Sequence, residues 1–192
     1  LAYRDEGAGR TIVFLHGFAL TQRAWDEQLA ALALKYRVIT LDWRGFGEST
    51  VGNRPPSIEA FADDLAGLLD ALKIDRATIC GLSMGGYAAF AFYCKFADRV
   101  ESLILADTRY EMAATVRREG LAAMPDQVLP KWVAPSTLET RPQVVARVRS
   151  MIVNNQPEGV ARAQEAMAER ADSIPLLPNI RCRTLVIVGA ED

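Results

Sequence analysis

The stretch Ala77-Thr78-Ile79-Cys80-Gly81-Leu82-Ser83-Met84-Gly85-Gly86 decides how this chain reads. Ala77–Cys80 is short and apolar with a β-branched centre, which predicts a strand, and Met84 to Phe96 has the apolar spacing of a helix. Between them lies G-x-S-x-G, Gly81 to Gly85. A serine presented on a sharp strand-to-helix turn needs glycines two residues before and two after it, because side chains there would collide. Such a turn pushes Oγ into the open at the carboxyl end of a sheet. It also sets the Met84 N–H, at a helix N-terminus, beside a developing oxyanion. Gly86 lets the helix lie close to the strand. The bare pattern arises by chance in roughly one chain in twenty of this length, so the strand–turn–helix setting is what makes Ser83 a candidate nucleophile.

Outward from this turn, four more apolar runs read as strands: Thr11–Leu15, Arg37–Leu41, Val100–Ala106 and Arg183–Val188. They are nearly continuous in hydrophobicity, as strands buried on both faces of a parallel sheet are. Tyr3–Asp5 is a candidate sixth, ending in the turn Glu6-Gly7-Ala8-Gly9. Helical stripes alternate with the strands. One is Trp25, Leu29, Leu32 and Tyr36; another is Ile58, Phe61, Leu65, Leu68, Leu69 and Leu72, preceded by Pro55-Pro56 and the N-cap candidate Ser57. Alternation of this kind predicts a three-layer α/β fold with a mostly parallel sheet. Seven of the nine prolines fall between Asp107 and Pro178 and cut that stretch into short helices, roughly Glu111–Met124, Pro142–Asn154 and Pro157–Ala171. The expected organisation is one domain: a core from residues 1–107 and 179–192, and a helical cap from 108–178 over the mouth of the sheet. A plain helical extension packed elsewhere is the alternative.

The totals bound the partners. The 192 residues carry 22 Lys and Arg against 24 Asp and Glu, a net charge of −2, which gives no reason to expect nucleic acid or an anionic membrane surface. No apolar run reaches the length of a membrane span. Cys80, Cys94 and Cys182 are scattered and odd in number, which suggests reduced thiols and a cytoplasmic setting. One histidine and no close cysteine pair argue against a zinc site. Leu1-Ala2-Tyr3-Arg4 reads as the middle of a strand and Asp192 follows one at once, so a chain truncated at both ends is expected.

Two further segments bear on chemistry. His16-Gly17-Phe18 follows the strand Thr11–Leu15. A serine hydrolase takes one oxyanion donor from the residue after its nucleophile and one from such a loop; Phe18 N–H is the second candidate, beside Met84 N–H. His16 itself reads as a structural histidine that hydrogen-bonds the loop rather than as a general base. Asp42-Trp43-Arg44-Gly45-Phe46-Gly47-Glu48-Ser49 follows the strand Arg37–Leu41 and reads as a tight structural loop.

HGF, DWRGFGES, GLSMGG and the final Val-Gly-Ala-Glu-Asp occur in the order and spacing of the α/β-hydrolase superfamily. The chain resembles its small serine carboxylesterases and the 3-oxoadipate enol-lactonase-like group over nearly its whole length, least so in the cap. The resemblance implies an acyl-enzyme on Ser83, a small-molecule ester or lactone as substrate, and no cofactor. It places the triad acid in a G-x-x-D turn after the strand that follows the cap, which is Asp192; some members hold it one strand earlier, where this chain has Asp107. Ser83 argues against the epoxide hydrolases and haloalkane dehalogenases of this fold, which attack with aspartate. A cofactor-free haloperoxidase or perhydrolase uses the same triad and stays open.

The departure is the base. The fold's order is Ser, then acid, then His, and the one histidine, His16, lies far upstream. Without a group near neutral pKa to take the serine proton, the nucleophile is not activated. In a well-studied serine protease, losing the base costs about 10⁶ in turnover. A catalytic His missing from this chain is therefore expected, and doubtful activity with it. The competing class is a non-catalytic fragment or ligand-binding module of the same fold. A nucleotide-binding protein is a distant third, since GLSMGG is neither a dinucleotide fingerprint nor a P-loop. An unpaired sheet edge at Arg183–Val188 is expected to make the chain a homo-oligomer.

Overall fold

The computed structural model describes residues 1–53, 57–108 and 120–190. Six strands form one sheet: β1 (Tyr3–Glu6), β2 (Thr11–Leu15), β3 (Arg37–Leu41), β4 (Ala77–Leu82), β5 (Val100–Ala106) and β6 (Arg183–Ile187), in the spatial order β1-β3-β2-β4-β5-β6. β1 runs antiparallel to β3, and every other pairing is parallel. Side chains alternate across the sheet. Val13, Leu15, Ile39, Leu41, Ile79, Leu103 and Leu105 enter the larger core, and Phe14, Val38 and Cys80 the smaller one on the other face. Burial on both faces explains why these runs carry so few polar residues. β4 continues two residues past the predicted end at Cys80, because Gly81 and Leu82 stay in register with Leu105 and Ala106 of β5.

Three helices flank the sheet: α1 (Asp26–Leu32), α2 (Ile58–Ala71) and α3 (Met84–Phe96). Ser57 caps α2, its hydroxyl accepting from Ala60 N at 3.0 Å. α2 and α3 cover the larger core with Phe61, Leu65, Leu69, Tyr87 and Phe92. The stripe ending at Tyr36 overran its helix. A 3₁₀ turn, Gln22–Trp25, precedes α1, and Tyr36 lies past its end, where the Gly7 turn presses onto the Ala33 and Tyr36 carbonyls.

Between β5 and β6 come α4 (Gly120–Trp132), α5 (Pro135–Thr140), α6 (Pro142–Val153) and α7 (Pro157–Glu169). Pro135, Pro142 and Pro157 each start a helix, where a missing N–H costs nothing. The predicted helix Glu111–Met124 lies partly outside the described residues. Where it is described, α4 runs on through Pro125 and Pro130 to Trp132. Packing outweighs the proline penalty there: Met124 and Val128 are buried with Ile152 of α6 and Ala19 of the core.

The insert docks on the core backbone to backbone. A Cβ on Gly159 of α7 would stand 2.0 Å from Gly45 O, and one on Gly45, at φ 77, would stand 2.4 Å from Gly159 Cα. Around this contact Gln156 Nε2 donates to Ser49 O at 2.8 Å. Alanine at 159 would gain up to ~1 kcal/mol of helix propensity. It would collide with backbone that cannot rotate away, which costs about 1–3 kcal/mol. Gly159→Ala is therefore expected to lower the urea midpoint; an unchanged or raised midpoint would show that the docking is loose.

Among the described residues β6 is the other edge of the sheet, and Leu185, Val186, Ile187 and Val188 are 53, 64, 49 and 65% exposed.

Candidate active site

Ser83 stands at φ 49, ψ −112, between the end of β4 and the first turn of α3. Positive φ is uncommon outside glycine and costs on the order of 1–3 kcal/mol. The turn is fixed from three sides. Ser83 N donates to Ala106 O at 3.0 Å, and Ser83 O accepts from Gly86 N at 2.8 Å. A side chain on Gly81 would stand 2.4 Å from Gly85 O, and one on Gly85 would stand 2.3 Å from Leu15 O and 2.9 Å from His16 O. Gly86 has a more specific task than close helix–strand packing: a Cβ there would meet Thr108 Oγ1 at 2.1 Å. Thr108, which the sequence did not flag, carries its hydroxyl between Ala106 O at 3.2 Å and Ser83 O at 3.4 Å.

The His16–Phe18 loop lies against this turn. A Cβ on Gly17 would stand 3.3 Å from Leu82 O, one residue before the serine. Ser83 and Phe18 are half-buried, while Met84 is fully buried. Among the described residues, the turn and loop hydrogen bonds use neither the Phe18 nor the Met84 N–H.

His16 is fully buried and already engaged. Its Nδ1 lies 2.8 Å from Gly17 O, and its Nε2 lies 3.0 Å from Trp43 N. A peptide N–H can only donate, so Nε2 is the acceptor and Nδ1 carries the proton. Trp43 Nε1 returns a bond to His16 O at 3.2 Å. Burial pushes the imidazole pKa down to about 4, against the opposing pull of the Gly17 carbonyl and the Asp42 charge. A neutral ring with both nitrogens committed to backbone is a strut between two loops.

Asp42 holds the second of those loops. Its Oδ1 accepts from Gln22 N at 2.7 Å, and its Oδ2 from Gln22 Nε2 at 3.0 Å and Glu48 N at 3.1 Å. Ser49 Oγ donates to Asp42 O at 2.6 Å. Trp43 stacks on Phe61 at 4.9 Å, and Arg44 pairs with Asp64. This loop is a clamp between β3, α2 and the insert. Asp107, the alternative acid, follows β5 at φ 42 with its N–H on Ile187 O at 2.8 Å. Asp192 lies outside the described residues. Cys80, whose thiol burial pushes up to about 12, is a core group. Among the described residues no cluster of His, Cys, Asp and Glu could hold a metal ion, and no helix is long and apolar enough to cross a membrane.

Residues 10–192 match the family described as having the alpha/beta hydrolase fold. The chain is 33% identical over 190 residues to 3-oxoadipate enol-lactonase 2 of Acinetobacter baylyi, covering 94% of this chain and 71% of that one. Among solved structures, a thermophilic esterase from Thermogutta terrifontis is 43% identical with a TM-score of 0.93, over 98% of this chain and 74% of that one. The enol-lactonase from Burkholderia xenovorans LB400 is 36% identical with a TM-score of 0.92, over 98% and 77%.

His16 generates a pH prediction. Unfolded it titrates near 6.5, folded near 4. Between these values the unfolded chain binds the extra proton, so stability is full above about 6.5 and drains as pH falls toward 4. Urea unfolding is expected to show a falling midpoint from pH 7 to 5, above the range where most carboxylates titrate. A flat midpoint across that window would contradict a buried neutral His16.

Proposed function

Because the chain belongs to the alpha/beta hydrolase family, we propose that it is a serine hydrolase of small carboxylic esters or lactones, with Ser83 as nucleophile. The observation that carries this is the backbone of Ser83, φ 49 and ψ −112, at the tip of the β4–α3 turn. A half-buried hydroxyl held in a strained turn at the carboxyl end of a mostly parallel sheet is poised to attack.

In this reading Ser83 Oγ attacks the substrate carbonyl, and the proton leaves to a base. The oxyanion is met by the Met84 and Phe18 N–H groups, the first at the start of α3, where the helix dipole favours negative charge. Collapse expels the alcohol, or opens the ring of a lactone, and water then releases the acid. Asp192 is the proposed acid of the triad, with Asp107 as the alternative. The helices between β5 and β6 act as the cap that shapes the acyl and alcohol sites. The named relatives, two enol-lactonases and an esterase, support ester and lactone bonds as the substrate class. His16 is not the base: both its nitrogens are spent on backbone.

With no other histidine among the 192 residues, Ser83 is expected to react slowly with a fluorophosphonate probe. Added imidazole, a base of suitable pKa, is expected to speed the labelling, and Ser83→Ala to abolish it. Labelling that is absent from wild type with and without imidazole would overturn the hydrolase reading. Labelling at the rate of an intact esterase without imidazole would show a base within this chain.

A further inference from the structure

The turn that carries the Phe18 N–H is strained, and its own residues supply a single hydrogen bond. Leu20 N donates to Gly17 O at 3.2 Å, which closes the turn, and Ala19 inside it stands at φ 57. Glycine is the usual occupant of such a position, and alanine there costs on the order of 1–2 kcal/mol. The holding contact comes from the helical insert. Asn155, in the link between α6 and α7, is 5% exposed. Its Nδ2 donates to Ala19 O at 2.8 Å and to Met151 O at 2.9 Å, and its Oδ1 accepts from Gly47 N at 2.9 Å. One buried carboxamide thus joins the loop after β2, the loop after β3 and the end of α6. Ala19 is also fully buried beneath Met124, Val128 and Ile152.

We propose that Asn155 is a positioning residue of the site: it holds the Gly17–Leu20 turn, and with it the Phe18 N–H, in register with Ser83. The consequence for turnover rests on the serine-hydrolase reading; the tie itself rests on the geometry. A carboxamide suits the place because Ala19 O needs a donor and Gly47 N needs an acceptor, and one planar group supplies both. A carboxylate would satisfy Gly47 and leave Ala19 O facing negative charge. An apolar side chain would leave both backbone groups unpaired at about 1–3 kcal/mol each. The insert is then more than a roof, since its seating sets the second oxyanion donor.

The test is hydrogen exchange read by mass spectrometry on the 192-residue chain as wild type, Asn155→Ala and the milder Asn155→Asp, which keeps the Gly47 bond. Exchange in the peptide spanning Gly17–Leu20 is expected to rise about tenfold or more in both variants, with β4 and β5 unchanged. Equal exchange in that peptide across the three proteins overturns the proposal. Hydrolysis of p-nitrophenyl acetate with imidazole present, corrected by Ser83→Ala, reads the role in turnover. We expect kcat to fall by roughly 10- to 10²-fold with KM nearly unchanged, less than the ~10²–10³ for deleting a donor outright. A raised KM with kcat intact would make Asn155 a residue of the insert alone and overturn its positioning role. If wild type shows no turnover above Ser83→Ala, the hydrolase reading falls, and the exchange measurement still decides the tie.

Discussion

The contact on which the rest of this molecule depends is made of backbone. The first turn of α3 rests directly on the end of β2 at Gly85 and on the end of β4 at Gly81, with no side chain between them. A methyl group at either position would meet a carbonyl oxygen at 2.4 or 2.3 Å, a collision that only a shift of strand or helix could relieve. Closing that gap forces Ser83 out of ordinary backbone space. The turn persists because the same helix buries Met84, Tyr87 and Phe92 in the larger core. Each such side chain is worth about 1.5–3 kcal/mol, enough together to hold a strained serine.

Around that turn, rigidity comes from buried polar groups that are satisfied. His16, Asp42 and Asn155 sit on three different segments, each bonded to backbone of a neighbouring loop. Losing one partner would leave a buried group unpaired, and that cost exceeds what the bond itself contributes. Such groups therefore specify loop geometry more than they add stability. The site is framed by a neutral histidine, a shared carboxylate and a carboxamide, none of which this architecture asks to react.

Much of this was legible in the sequence, for identifiable reasons. β2, β3 and β5 have the predicted limits because β-branched runs between turn residues leave little freedom. Ser83 was legible because G-x-S-x-G is a steric requirement written in glycines. His16 was legible as a strut because a lone histidine after a buried strand has backbone within reach. Asn155 was not. It sits in Asn154-Asn155-Gln156-Pro157, which reads as an ordinary break between helices, and its partners Ala19 and Gly47 lie more than a hundred residues away. The Gly45–Gly159 contact was hidden for the same reason: each glycine alone looks like a turn or a weak helix position. α4 escaped because local proline rules were overruled by burial that only the folded insert supplies.

The pairing of β5 with β6 has a consequence for how this architecture diversifies. Ser102 lies opposite Arg183, so neighbouring strands are separated by a detour that holds, among its described residues, the helices α4 to α7. Closing a longer loop costs only about 0.6 kcal/mol for each doubling of its length. Replacing a plain crossover by this detour therefore taxes the sheet very little, provided the detour stabilises itself. What a substitute would have to reproduce is short: the stretch Asn155–Gly159 carries the Ala19, Gly47, Ser49 and Gly45 contacts. A different set of helices grafted between β5 and β6, keeping those five residues in place, would inherit the same seating on the two loops and set new surroundings over the Ser83 turn.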